Sequence, residues 1–247
     1  METISIIIAT FNSSKTIRRC LDSVIMQTYK NWECIIIDGA SKDKTIDIVE
    51  EYSKRNNQIR YISEPDSGIF EAFNKGWKLA KGDWIYYLGS DDQLLPDGLS
   101  ELLNQSDNSN NYDLIYGNIQ FVKSDGTIVI HKHSSHLQLP WKTFACHQAV
   151  IMRRTVIEKL NGFDENLQVK ADKDLIIRSY YLNPRCRYKG TEAIVALFYG
   201  GGTSSDYYKA FKEDIYIYKK VKPGIMFLLY ALQHLPRMIL KKKLKFV

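Results

Sequence analysis

WIYYLGSDDQLLPDG, residues 84–98, runs from a short β-prone apolar segment straight into Ser90, Asp91 and Asp92. A continuous apolar run of this length, closed by small polar residues, reads as a buried strand. The same pattern recurs upstream. Residues 4–9, 33–38 and 60–63 read as strands, and residues 15–27, 44–54 and 70–80 as helices between them. Alternation of this kind predicts strand–helix–strand units and an α/β fold with a mainly parallel sheet. In open sheets of that class, ligands bind beyond the carboxyl ends of the strands. Thr10 and Asn12 follow the first strand, Asp38 the second, Glu64 and Asp66 the third, and Asp91 and Asp92 the fourth. These polar residues are expected to converge.

Two adjacent carboxylates after a buried strand repel one another unless a cation is present, and hard oxygen ligands suit Mg²⁺ or Mn²⁺, which in turn binds phosphate. The competing reading is a helix cap, since Leu94-Leu95-Pro96-Asp97-Gly98 leads into a helix and Asp caps well. Asp38, followed by Gly39-Ala40-Ser41, suits either a hydrogen bond to a base or ribose or an Asx turn. Beyond residue 105 the pattern is less regular. A hairpin is expected around Ser124-Asp125-Gly126, helices over 154–160 and 174–182, a loop over 104–111, and a flap at Gly200-Gly201-Gly202.

The ordered series Ile6-Ile7-Ile8-Ala9-Thr10-Phe11-Asn12, Ser23-Val24-Ile25-Met26-Gln27-Thr28-Tyr29, Ile37-Asp38-Gly39-Ala40-Ser41, Ser63-Glu64-Pro65-Asp66-Ser67-Gly68, Asn74-Lys75-Gly76, Gly89-Ser90-Asp91-Asp92, Gly162-Phe163-Asp164-Glu165 and Ala171-Asp172-Lys173-Asp174 resembles the family 2 inverting glycosyltransferases. The resemblance covers residues 4 to about 205 and implies the GT-A (nucleotide-diphospho-sugar transferase) fold, a mainly parallel central sheet flanked by helices, of the bacterial surface-polysaccharide type. It implies a nucleotide-binding half over about 1–105, an acceptor half over about 106–205, and a C-terminal helical extension over 206–247.

By that resemblance, Thr10, Asn12 and Asp38 line a pocket for the base, expected to be uracil, with guanine and thymine as alternatives; Asp38 accepts from a ring N–H, and Asp66 lies close to the same pocket. Asp91 contacts the ribose or the water shell of the metal, and Asp92 binds Mn²⁺ or Mg²⁺ against the donor diphosphate. His147 either completes the metal shell, hydrogen-bonds a phosphate, or is a packed histidine with no ligand role. Asp172 matches the carboxylate that deprotonates the acceptor hydroxyl. The alternative is that Asp172 caps the following helix and Asp174 acts instead.

Two departures stand out. Phe73 stands where many relatives carry an arginine, so diphosphate binding is expected to lean on the metal, on Lys75 or on the glycine-rich loop. Nothing after Asp172 matches the Gln-x-x-Arg-Trp motif of processive synthases, so one sugar per acceptor is expected. A nucleotidyltransferase is disfavoured because no glycine-rich basic loop follows the first strand, and a dinucleotide dehydrogenase because G-x-G-x-x-G is absent. A binding protein that kept the fold and lost turnover is the remaining rival.

With 247 residues, 45% of them hydrophobic, the chain can bury one substantial core. Cys20, Cys34, Cys146 and Cys186 lie too far apart for a zinc site or disulfide framework, and the apolar run at 4–9 is too short for a signal peptide. A cytoplasmic protein is expected. Of the net charge of +6, Arg237, Lys241, Lys242, Lys243 and Lys245 supply five units, leaving a nearly neutral body that does not suit nucleic acid. The apolar stretch 225–240 with this basic end reads either as an interfacial segment on an anionic membrane, near a lipid-linked glycan acceptor, or as a packed helix with a solvated basic end.

Overall fold

A computed structural model of the chain describes residues 2–104, 112–139, 143–200 and 207–221. The first half is built from β1 (Ile4–Thr10), α1 (Ile17–Ile25), β2 (Trp32–Asp38), α2 (Thr45–Arg55), β3 (Ile59–Ser63), α3 (Ile69–Leu79) and β4 (Trp84–Gly89). Every residue of β1 and of β4 is buried, as continuous apolar runs require of strands covered on both faces. Period-two alternation sends Ile7, Ile35, Ile37 and Ile85 to one core layer and Ile6, Ile8, Cys34 and Ile36 to the other. The second layer receives Ile17 and Leu21 of α1; the first receives Phe70, Ala72 and Phe73 of α3.

The second half adds β5 (Gln93–Leu94), α4 (Gly98–Asn104), β6 (Leu114–Val122), β7 (Ile128–His131), β8 (Val150–Arg153), α5 (Arg154–Leu160), α6 (Ala171–Tyr180), β9 (Tyr188–Tyr199) and α7 (Tyr207–Val221). Among the described residues the nine strands form one sheet in the order β3-β2-β1-β4-β8-β6-β9-β5, with β7 on β6. Strands β3, β2, β1 and β4 pair in parallel, while β8 runs antiparallel to both β4 and β6. The sheet is therefore parallel where the first-half strand ends lie and mixed beyond. The expected hairpin joins β6 to β7, and its tight turn closes at Gly126 with φ +83°, a backbone that glycine adopts without strain.

Asn74-Lys75-Gly76 has a packing explanation. A Cβ on Gly76 would lie 2.3 Å from Ile7 Cγ2, so only glycine lets α3 sit this close to β1. Asn74 is buried, and its side chain donates to the Phe163 carbonyl and accepts from the Phe163 N–H, at 2.9 and 2.8 Å. Gly162, at φ +69°, follows the left-handed cap residue Asn161 of α5, and a Cβ there would meet Asn74 and Trp77. Two segments 89 residues apart are thus one interlocked unit.

Helix α6 starts at Ala171, earlier than the expected 174, because the fully buried Ala171 already packs in the core; Asp172 lies in its first turn and Lys170 is the cap residue. Helix α7 packs on the first core layer through Ile217 and Tyr218. All four cysteines are free thiols. The loop expected over 104–111, apart from Asn104, lies outside the described residues, as do Gly201, Gly202 and the apolar and basic tail after 221. Among the described residues no helix is long and apolar enough to cross a membrane.

Candidate active site

The strand register brings the polar strand ends together: Thr10 lies beside Asp38, Asp38 beside Ser63, and Ala9 beside Gly89. Asp38 is fully buried, and its carboxylate accepts from the Ser41 N–H at 2.9 Å, from the Ser41 hydroxyl, and from the Ser63 hydroxyl at 2.7 Å. These bonds tie the Asp38 side chain to the turn that follows it and to β3. That turn carries Ala40 at φ +59° and meets Asn12 at φ +48°, two residues in the left-handed region that cost on the order of 1 kcal/mol or more each. Asn12 Oδ1 accepts from the Lys42 N–H, and its own N–H donates to Ser41 Oγ, both at 2.8 Å. Gly39 leaves room for Asp66, whose Oδ2 would lie 2.9 Å from a Cβ there. Burial, with help from the Glu71 and Asp38 charges, raises the Asp66 carboxyl above its ordinary range against the opposing pull of Gly68 N–H and Lys75. Thr10 Oγ1 is buried with no protein partner, and Phe11 is 61% exposed between Thr10 and Asn12.

Asp91 and Asp92 sit over Gly89: a Cβ there would lie 2.7 Å from Asp92 Oδ2 and 2.9 Å from Asp91 Oδ1. Both carboxylates therefore reach one spot. Asp92 is 1% exposed, and burial followed by the Asp91 charge pushes its carboxyl up to about 6. Its oxygens accept from Gln148 Nε2 and from the Tyr199 N–H, each at 3.0 Å. Arg19 donates to the Asp91 carbonyl at 2.6 Å and stacks its guanidinium 3.9 Å from the Tyr199 ring centroid. Ser13 and Ser90 hydroxyls meet at 2.9 Å. Gln148, Tyr199 and Arg19 were not singled out from the sequence. Gln148 follows His147 directly and Tyr199 precedes the triple glycine, but nothing local marks either as a partner of Asp92.

Asp172 Oδ2 lies 3.5 Å from His147 Nδ1. Burial pushes the Asp172 carboxyl up, but the His147 hydrogen bond and charge, the Lys173 N–H and the Lys170 charge outweigh it and hold the group below its ordinary range. Asp174 differs. It is fully buried, and Arg178 Nε donates to its Oδ2 at 2.5 Å while the same guanidinium holds the Leu160 and Gly162 carbonyls. Its Oδ2 thus orients the Arg178 that joins α6 to α5, while its Oδ1 is buried without a protein partner.

Phe73 is 1% exposed in an aromatic cluster, its ring 4.8 Å from Tyr87 and 5.7 Å from Phe163. Lys75 is held between Glu64 and Glu71, at 3.0 Å from each. Among the described residues no three His, Cys, Asp or Glu side chains gather to hold an ion by themselves. The Asp91–Asp92 pair fits instead a Mg²⁺-like ion that takes one or two carboxylates and completes its shell with phosphate and water.

The family described as Glycosyl transferase family 2 matches residues 5–161, well over half the chain. The chain belongs to that family. This glycosyltransferase is 28% identical over 243 residues to the PGL/p-HBAD biosynthesis glycosyltransferase of Mycobacterium bovis (strain BCG / Pasteur 1173P2), covering 95% of this chain and 91% of the relative. Its fold resembles the S. aureus TarS fragment 1–349 in complex with UDP-GlcNAc, with a TM-score of 0.69 at 19% identity over 90% of this chain and 65% of that one. It also resembles the mannosyltransferase PcManGT of Pyrobaculum calidifontis in complex with GDP-Man and Mn²⁺, with a TM-score of 0.68 at 14% identity over 90% and 64% of the two chains. The glycosyltransferase thus spans about two thirds of these solved chains and has the GT-A fold expected from its motifs.

Proposed function

We propose that this glycosyltransferase moves one sugar per acceptor, with inversion, from a uridine-diphosphate sugar to a hydroxyl of a glycan or lipid-linked glycan in cell-surface polysaccharide assembly. The observation that carries the reading is Asp172, about a third exposed with its Oδ2 3.5 Å from His147 Nδ1, a carboxylate open to an acceptor and suited to proton abstraction. Asp172 accepts the acceptor proton as the hydroxyl oxygen forms its bond to the anomeric carbon, and the bond to the diphosphate breaks on the opposite face. The hydrogen bond and charge of His147 keep Asp172 ionised for that task.

Thr10, Asn12, Asp38 and Asp66 form the nucleoside pocket in this reading. Asp38 holds the turn behind it, half-buried Asp66 offers a carboxylate to a ring N–H, and exposed Phe11 offers a face for stacking. Asp92, with Asp91, would hold Mn²⁺ or Mg²⁺, which supplies Lewis-acid stabilisation of charge on the leaving diphosphate. The complexes of TarS with UDP-GlcNAc and of PcManGT with GDP-Man and Mn²⁺ support a nucleotide-sugar donor and a divalent ion. The nucleotide half spans about 1–105, the acceptor half about 106–205, and the extension 206–247 brings the enzyme to the cytoplasmic face of a membrane through its basic end.

The test is thermal unfolding with UDP, GDP and dTDP, each with and without Mn²⁺, since a ligand that binds only the native state raises the melting temperature. A Mn²⁺-dependent rise with UDP that disappears in Asp92→Asn is expected. A rise with GDP or dTDP alone would overturn uridine as the base, and no rise with any of the three at millimolar concentration would overturn the donor-site reading.

A further inference from the structure

The side chain of Glu213, in α7, is buried, and it is anchored to backbone rather than to a cation in the bonds it makes here. Its Oε1 accepts from the Gln168 N–H at 2.9 Å, and its Oε2 from the Val169 and Lys170 N–H groups at 2.9 and 2.8 Å. Three successive amides aimed at one carboxylate form an anion-binding concavity, and such charge-assisted bonds are roughly twice as strong as neutral ones. Lys170 is the cap residue of α6, and Asp172 follows it by two positions. The same stretch is held elsewhere along its length. Asn74 fixes Phe163, Lys220 of α7 pairs with Asp164 at 2.6 Å, and Asp214 of α7 pairs with Lys173 at 2.6 Å.

We infer that Glu213 is a positioning residue for the transfer reaction: it sets the backbone of 168–170, and through it the direction in which Asp172 meets the acceptor hydroxyl and His147. The inference rests on the reading of Asp172 as the base. It makes α7, which lies beyond the family match at 5–161, a support for the segment before Asp172 and not an appendage. Near-attack geometry tolerates little error, and a displacement of about 1 Å from a distant mutation is enough to slow a reaction on the order of 100-fold.

Glu213→Gln keeps the size of the side chain but places an NH₂ against one or two amide donors. In that variant the amides of 168–170 are expected to exchange hydrogen faster. The His147 ring resonance should move toward its position in Asp172→Asn. With Mn²⁺ and UDP-GlcNAc, release of UDP should fall about 100-fold in kcat, with donor KM and the nucleotide-dependent melting shift unchanged. Lys219→Ala, on the exposed side of α7, should match the wild type in every measure. A wild-type His147 resonance in Glu213→Gln, with the 168–170 amides freed, overturns the inference even if UDP-GlcNAc is not turned over. Should the Gln variant fail to fold, Glu213→Asp keeps the charge; loss of nucleotide binding together with kcat in that variant would make Glu213 a folding element and also overturn it. Full activity in Asp172→Asn sinks the base assignment whatever Glu213→Gln does, whereas an inactive Asp172→Asn beside a fully active Glu213→Gln sinks this inference alone.

Discussion

Asp172 and Asp174 lie two positions apart in one helical turn, and only their surroundings separate them. Asp174 spends its charge on Arg178 inside the core, whereas Asp172 remains about a third exposed beside His147. Replacing Asp172 by Asn should lower transfer by about 10²–10⁴-fold, the usual contribution of a general base, with the nucleotide-dependent melting shift intact. Retention of more than a tenth of the wild-type rate in a steady-state assay would remove the carboxylate from the chemistry. At this scale the acidic strand ends were legible, because Asp38, Asp66, Asp91 and Asp92 follow recognisable strands. The partners of Asp92 were not, since Gln148 and Tyr199 reach it across 56 and 107 residues of chain.

Among the elements, α3 shows how a family position changes its meaning. Phe73 stands where an arginine was expected to help with the diphosphate, and the helix turns this side chain into the cluster with Tyr87 and Phe163. The sequence alone could show the departure but not its direction, because the face a residue presents depends on which side of α3 meets the sheet. Phe73→Arg should therefore destabilise by several kcal/mol, the effective cost of burying an unpaired ion, and not improve donor affinity. Equilibrium urea unfolding checks this, and a variant as stable as the wild type would show that the side chain can reach solvent. The α6 boundary taught a similar lesson. Its start at Ala171 is set by burial and by amides that α7 holds, neither of which is visible in residues 168–174 themselves.

For the molecule as a whole, the docking of α7 has a pH signature. Burial pushes the Asp164 carboxyl up, but Lys220 and Asn166 outweigh it and hold the group down to about 2. A carboxylate depressed in the folded state contributes stability that is complete above its unfolded value near 3.9 and is lost as pH falls through about 2. That contribution is on the order of 2 kcal/mol. Lys220→Met should lower unfolding free energy at pH 6 and show a smaller further loss at pH 2.5 than the wild type does; equal losses in urea titrations at both pH values would show that the pair does not hold α7. The sequence by itself determined the class of the fold, the parallel strands that carry the acidic ends, and the membership of the family, because apolar periodicity and strand-end motifs are local properties of the chain. Only the tertiary structure decided that Asp174 pairs with Arg178, that Phe73 is core, that Gln148, Tyr199 and Arg19 build the Asp92 loop, and that Glu213 anchors the segment before Asp172. Each of those depends on which distant surfaces meet, and hydrogen bonds across dozens of residues leave no periodic trace in sequence.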